Sequence, residues 1–287
     1  MIPAVTHWGA EALWLALEPQ LPGLTLEVLP EVDSSNSELL RRARQGQCAP
    51  CVLVAEHQSA GRGRMGRTWH DQAGDSLMYS LGLLLRPKEW AGLSLVVGTS
   101  IAESLNARMG AKHIGVKWPN DLWCSQGRKL AGTLIETASV AAAQGEAAYG
   151  AGVDAPRFVV IGTGINVRSA PRAASPDAPP PIWLQALDAQ WEAPAALAAV
   201  LPALVRDVLQ FAEHGFAPFQ ARFDALDVLR DRPVHLSDGS QGVAAGVSHD
   251  GQLLLRTASG VHPVLSGDVS VRPQDMAFPA DHHMHKG

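Results

Sequence analysis

The chain has 287 residues, with 23 Lys+Arg against 28 Asp+Glu, a formal net charge of -5, 46% hydrophobic residues and 18% charged ones. That is the composition of a folded globular protein, one large domain or a large domain plus a small one, and it excludes a disordered chain. The acidic balance argues against a protein that coats nucleic acid, although it leaves room for a local basic site.

No stretch reads as the roughly 20 uninterrupted apolar residues of a membrane helix. The opening MIPAVTHWGAEALW lacks the basic n-region of a secretory signal, so a cytoplasmic location without membrane contact is expected. A short amphipathic helix is predicted over 7–17, with Trp8, Leu13, Trp14 and Leu17 on one apolar side. Residues 24–29 alternate as a strand. Asp33-Ser34-Ser35-Asn36 offers capping residues for a helix that continues through Glu38 and stops at Gly46. A buried strand over 51–56 follows, then a Gly/Arg-rich loop and a strand over 77–85. Residues 93–109 read as a long, mostly apolar helix closed by Gly110. Strands are expected over 114–118, 121–124 and 129–137, with Ser125-Gln126-Gly127 as a turn. After a loop of small residues at 141–156, another strand covers 158–167.

Residues 169–181 are rich in Pro, Ala and Ser and read as a mobile loop. Trp183 and Leu184 resume structure. A helix is expected over 195–214, with Pro202 kinking it or marking its first turn. From Arg232 the texture changes to short alternating runs at 234–236, 243–247, 253–255, 261–265 and 269–271, separated by Asp238-Gly239, Asp250-Gly251 and Ser259-Gly260. That is the pattern of a small five-stranded barrel. The histidine-bearing end, 281–287, reads as a tail rather than a metal site.

Cys48, Cys51 and Cys124 are too few for a disulfide framework. Cys48-Ala49-Pro50-Cys51 matches C-x-x-C, but a redox pair belongs at a helix N-terminus, where the helix dipole lowers the thiol pKa. This pair follows a helix and starts a strand. No second ligand pair completes a zinc site. The three are expected to be structural thiols.

Gly61-Arg62-Gly63-Arg64-Met65-Gly66 is a literal G-x-G-x-x-G. A dinucleotide fingerprint would open a helix here and place an acid about 20 residues on. The following Arg67-Thr68-Trp69-His70 has no helical period. Glycines let a backbone approach a ligand, and guanidinium forks bind carboxylate or phosphate bidentately. The loop is built to wrap an anion.

Extended to Trp69, this loop resembles the ligand loop of biotin protein ligases. Lys117-Trp118-Pro119-Asn120-Asp121-Leu122 resembles a second signature of that family, Lys129-Leu130-Ala131-Gly132-Thr133-Leu134-Ile135-Glu136 a third, and Gly162-Thr163-Gly164-Ile165-Asn166-Val167 a fourth. Their order and spacing agree with the family over about 28–271. The resemblance implies an α/β (α+β) fold: a class II synthetase-like catalytic domain with a mixed central sheet and helices, then a small SH3-like barrel. Residues 1–228 are assigned to the first, 229–273 to the second and 274–287 to a disordered tail.

The resemblance also implies a reaction. A carboxylate is a poor acylating agent because its leaving group would be oxide. Biotin is therefore adenylated by ATP to biotinyl-5′-AMP, and a lysine of a biotin carboxyl carrier protein attacks the mixed anhydride. Joining two anions needs cations and Mg²⁺ on the phosphates. By resemblance, Arg64, Lys129 and Asp121 are catalytic, Asp121 orienting the acceptor lysine or helping to hold the metal. Ser34, Ser35, Asn36, Gln58, Arg62, Gly63, Arg64 and Lys129 bind biotin. Ser35 stands where the family usually has Thr. Arg64, Trp69, Lys117, Asn120, Asn166, Trp183 and Arg272 serve the nucleotide, with Trp183 stacking on adenine beside a closing Pro/Ala loop. Metal ligands are not assigned.

Three other functions compete. A bifunctional ligase and DNA-binding repressor needs about 60 further residues ahead of the catalytic part, and the segment before Asp33 is about half that length. No DNA partner is therefore expected, and a homodimer is left open. A ligase for another acyl group such as lipoate fits the Gly/Arg loop and Lys-Trp-Pro-Asn-Asp less well. A silent binding module does not explain Arg62, Arg64 and Lys129.

Overall fold

The computed structural model describes residues 6–69, 74–139, 156–170, 181–264 and 271–273. Strands β1 (Thr25–Leu29), β2 (Cys51–Ala55), β3 (Ser76–Leu85), β4 (Ile114–Lys117), β5 (Asp121–Cys124), β6 (Lys129–Ser139) and β7 (Arg157–Asn166) form one sheet in the order β1-β2-β3-β7-β6-β5-β4. Only β1 and β2 pair in parallel; helix α2 (Ser35–Arg44) supplies the crossover that parallel neighbours require. The other neighbours are antiparallel, so the sheet is mixed as expected.

Period-two alternation gives the sheet two different faces. Val52, Val54, Leu77, Tyr79, Leu81, Leu83, Val159 and Ile161 belong to the main core, together with α3 (Leu93–Met109) and α4 (Ala193–His214). Cys51, Leu53, Phe158 and Val160 instead meet Leu39, Leu40 and Ala43 of α2. Helix α2 begins where Ser34, in extended backbone, accepts the Ser37 N–H at 3.4 Å. Glu38 in its first turn and Arg41, Arg42 and Arg44 in its last complement the helix dipole. Helix α3 ends on Gly110 at φ 67, a left-handed cap that L side chains adopt reluctantly.

Two sequence expectations need correction. Helix α1 is Ala10–Leu17; Trp8 precedes it and bonds Glu56, while Trp14 turns outward to bond the Leu24 carbonyl, leaving Leu13 and Leu17 as its buried residues. Helix α4 runs unbroken through Pro202 and is, by length and composition alone, long and apolar enough to cross a membrane. Here its apolar side, from Ala196 to Phe211, is buried in the main core. Its Asp207, fully buried, pairs with Arg206 at 3.0 Å and Arg222 at 2.5 Å, and Arg222 also holds Glu103 at 2.6 Å. A buried charge persists only with such partners. They tie α4 to α3 and to α5 (Gln220–Asp224), a short helix with no forecast in the sequence pattern.

Strands β8 (Pro233–Leu236), β9 (Gln241–Val247), β10 (Leu253–Thr257), β11 (Gly260–Val264) and β12 (Val271–Pro273) form a second, antiparallel sheet in the order β11-β10-β9-β8-β12. Among the described residues no pairing joins β11 to β12, so the expected barrel is seen as a five-stranded sheet. Its Val234, Leu236, Ala244, Val247 and Leu253 share the main core, and Trp118 Nε1 donates to the Gly251 carbonyl at 3.1 Å. The loops expected at 141–156 and 169–181 and the tail lie wholly or largely outside the described residues.

Candidate active site

The site lies on the α2 face, over β3, β7 and β6. In register, Ser80, Gly162 and Leu134 stand side by side, and one step along so do Met78, Gly164 and Gly132. The glycines make a floor without side chains, and other residues fill the space above it. A Cβ on Gly162 would collide with the Asn36 amide, and one on Gly164 would lie 2.5 Å from the Trp69 ring. The fourth sequence signature is therefore a surface that only glycine can supply.

The α2 end of this floor is polar and buried. Ser35 donates through its N–H and hydroxyl to Gln58 Oε1, at 2.7 and 3.1 Å. The Ser80 hydroxyl donates to Asn36 Oδ1 at 2.6 Å and sits 2.7 Å from Ser35 Oγ. Asn36 Nδ2 donates to the Leu134 carbonyl at 3.1 Å and to Glu136 Oε2 at 3.0 Å. Both are pure acceptors, which fixes the amide the other way round, Oδ1 toward Ser80. The structure thus brings Ser34, Ser35, Asn36 and Gln58 together. It adds Ser80 and Glu136, which the sequence reading missed. Glu136 closes the third signature, and its presence there is the one signal that pointed to it.

The Gly/Arg loop crosses above as a 3₁₀ turn over Arg64–Gly66, following Gly63, whose N–H bonds the Arg67 carbonyl at 2.7 Å. Its base is pinched by Trp69 N–H bonding the Gly61 carbonyl at 2.9 Å. Among the described residues no helix opens from it, unlike the turn of a dinucleotide fingerprint. Arg62 pairs with Glu136 at 2.9 Å, and Arg64 Nη1 donates to Asn120 Oδ1 at 3.2 Å. Asn120 is anchored in turn by donating to the Thr133 carbonyl at 2.8 Å.

A second charged group sits at the far end of the floor. Lys129 Nζ lies 2.7 Å from Asp121 Oδ1. Burial works against the Asp121 charge, but Lys129, Lys117 and Arg64 together hold its carboxyl below the usual range. Lys117 is buried, with its ammonium 5.7 Å from the Trp123 ring centre. Burial lowers its pKa to about 8, Asp121 opposing and Lys129, Arg64 and Arg67 reinforcing the shift. Arg64, Lys117 and Lys129 therefore gather around Asp121, while Arg62 pairs with Glu136 nearer the α2 end. This end of the site favours anions.

Asn166 Nδ2 donates to the Ile182 carbonyl at 3.0 Å, and the Ile182 N–H donates to the Lys129 carbonyl at 2.8 Å. Trp183 follows directly, half-buried, with the Arg128 guanidinium 6.0 Å from its ring centre and donating to the Pro181 carbonyl at 2.6 Å. Arg128 is a third residue that the sequence reading missed. Arg272 is not gathered in. It is exposed on β12 opposite His235, and among the described residues no hydrogen bond or ion pair joins it to the site. Among the described residues no three His, Cys, Asp or Glu cluster as metal ligands, and all three cysteines are free. Burial raises the pKa of Cys48 and Cys51, consistent with unreactive thiols.

Comparison with known proteins gives a consistent result. Residues 29–154 match the Biotin/lipoate A/B protein ligase family, and residues 231–272 match the Biotin protein ligase C terminal domain. The chain is 36% identical over 260 residues to the bifunctional ligase/repressor BirA of Escherichia coli (strain K12), covering 88% of this chain and 76% of that one. It is 32% identical over 253 residues to the biotin--[acetyl-CoA-carboxylase] ligase of Paracoccus denitrificans, covering 84% and 98%. The solved biotin protein ligase from Aquifex aeolicus in complex with biotin and ATP superposes with a TM-score of 0.69 at 28% identity, covering 87% of this chain and 99% of that one.

Proposed function

The chain belongs to the biotin protein ligase family, and from that premise we propose how its own side chains divide the work. The protein is an ATP-dependent ligase that adenylates biotin to biotinyl-5′-AMP and transfers biotin to a lysine of a biotin carboxyl carrier protein. Lipoate is not favoured as the acyl group, because the matching C-terminal domain and the relatives are named for biotin.

One observation carries the assignment of roles: hydrogen-bonding groups at one end of the glycine floor and three cations, Arg64, Lys117 and Lys129, at the other. Ser34, Ser35 and Gln58 suit a ureido ring, which both donates and accepts. Asn36 has its amide fully engaged by protein, so it shapes this end of the site from behind. Arg62, Arg64 and Lys129 attract the carboxylate and the α-phosphate and offset the charge that gathers as they join. Asp121 stays ionised and holds Lys129 at the junction. It is also the nearby carboxylate able to orient an incoming acceptor lysine. Lys117 and Asn120 stand on the phosphate side. Trp69 walls the floor, and Trp183, covered by Arg128 on one side, offers its ring to adenine. Asn166 acts through Ile182, setting where Trp183 starts.

Mg²⁺ bound with the phosphates would offset their charge, and Asp121 is the carboxylate at that end that would help to hold it. Residues 1–228 are read as the catalytic domain, 229–273 as the C-terminal one and 274–287 as a tail. The acidic net charge supports action on a carrier protein rather than on DNA, and dependence on ATP supports a cytoplasmic location. The test is to mix purified protein with biotin, Mg·ATP and a biotin carboxyl carrier domain and weigh the carrier by mass spectrometry. A biotinyl mass gain is expected. None, beside an active control ligase, would overturn the assignment.

A further inference from the structure

Glu136 occupies an unusual position for a carboxylate within a sheet strand. It lies on the site face of β6, in register with Val160. One oxygen meets Arg62 Nη2 at 2.9 Å, while the other lies 3.4 Å from Arg62 Nη1 and 3.0 Å from Asn36 Nδ2. Arg62 also reaches Ser37 Oγ at 3.4 Å. Three segments distant in sequence meet at this one side chain: the Gly/Arg loop, the first turn of α2 and strand β6. Its partners differ in exposure, since the Arg62 side chain is half exposed and Asn36 is buried. The Asn36 bond fixes the carboxylate from below, and the carboxylate then holds the loop from above. The guanidinium fork fits it with two parallel bonds, the geometry that gives Arg–carboxylate pairs their directionality.

We propose that Glu136 is a positioning residue that clamps the Gly/Arg loop onto the glycine floor and thereby sets the affinity for biotin; this rests on the biotin-site reading above. The clamp explains why Arg62 points back toward the sheet while Arg64, two residues on, reaches Asn120.

The test uses the full-length protein. Glu136→Gln keeps a carbonyl for Asn36 Nδ2 and removes the charge that holds Arg62. Limited trypsin digestion, read by mass spectrometry at the bonds after Arg64 and Arg67, is expected to run about fivefold faster in this variant, the scale of a partly exposed ion pair. The KM for biotin is expected to rise by about the same factor, with kcat for adenylate formation within twofold of the parent. Arg62→Gln breaks the same pair from its exposed side, without touching the sheet, and should loosen the loop equally. In the Arg62→Gln background, Glu136→Gln should add nothing to the cleavage rate. Unchanged loop cleavage and unchanged KM in Glu136→Gln, or effects of the two changes that multiply, would overturn the clamp. A parent protein that forms no adenylate would sink the ligase reading instead, while the cleavage comparison would still decide whether Glu136 holds the loop.

Discussion

The Lys129 ammonium lies 2.7 Å from the Asp121 carboxylate, and both stand over Gly132, where a Cβ would come within 3.3 Å of the ammonium and 3.4 Å of the carboxylate. The register that pairs Asp121 with Gly132 and Gly132 with Gly164 creates this contact. The pair is partly buried, and Lys129 is the chief partner that keeps the Asp121 carboxyl charged against its burial. Lys129→Met is expected to lower the rate of biotin adenylation by about 100-fold, the scale of losing one preorganised electrostatic donor. Asp121→Asn should slow transfer to the carrier more than adenylate formation. Single-turnover measurements of the two half-reactions check both, and equal slowing of the two steps by Asp121→Asn would remove its role toward the acceptor.

The floor makes a steric prediction. Gly164→Ala drives a methyl into the Trp69 ring, which must shift, and Trp69 anchors the base of the Gly/Arg loop through its bond to Gly61. A stability loss of about 1–3 kcal/mol is expected, as for other overpacked sites. Biotin binding should fall further than stability does. Calorimetric titration with biotin beside a denaturant melt separates the two, and intact binding in a folded Gly164→Ala variant would contradict the proposed floor.

Lys117 yields a pH dependence. Burial lowers its ammonium to about 8 from an ordinary value of 10.5, so the free protein loses this charge as pH rises through about 8. Bound phosphate favours the charged form. The KM for ATP is therefore expected to rise between roughly pH 7.5 and 9, with proton uptake on binding near pH 8. Lys117→Met should flatten that rise. Isothermal titration in two buffers of different ionisation enthalpy measures the proton directly, and no uptake near pH 8 would separate Lys117 from the phosphates.

Asp227, at the junction between the two sheets, gives a stability prediction of opposite sign. Burial raises its carboxyl to about 6; the Leu229 N–H bond to Oδ1 at 2.9 Å opposes the shift, and Oδ2 is buried without a partner. A carboxyl whose folded pKa exceeds its unfolded one adds stability at low pH and loses it as pH rises through the folded value, here between about 4 and 6. Asp227→Asn should therefore raise the melting temperature at pH 7.5, by about 2–4 °C for each kcal/mol recovered, and change it little at pH 4.5. A melting curve at each pH decides it.

Much of the molecule was legible in its residues. Helix α3 matched its predicted span because an apolar run ending in glycine has one reading. Strands β2 to β7 fell within two residues of their predicted ends at each described terminus. The Gly/Arg loop pointed to an anion site by composition, since alternating glycine and arginine combines close backbone approach with fixed forks of positive charge. Ser34, Ser35, Asn36, Gln58, Arg62, Arg64 and Lys129 were recognisable because they sit in contiguous motifs. Ser80, Glu136 and Arg128 were not singled out as site residues. Their contacts arise between strands and loops far apart in sequence, and spacing along a chain carries no register between such segments. The sequence by itself determined which elements form and which motifs hold charge, because periodicity and local chemistry act within a few residues. Only the tertiary structure decided that Lys129 answers Asp121, that Glu136 answers Arg62 and that Arg272 stands apart, because those outcomes depend on how β3, β7, β6 and β5 align side by side.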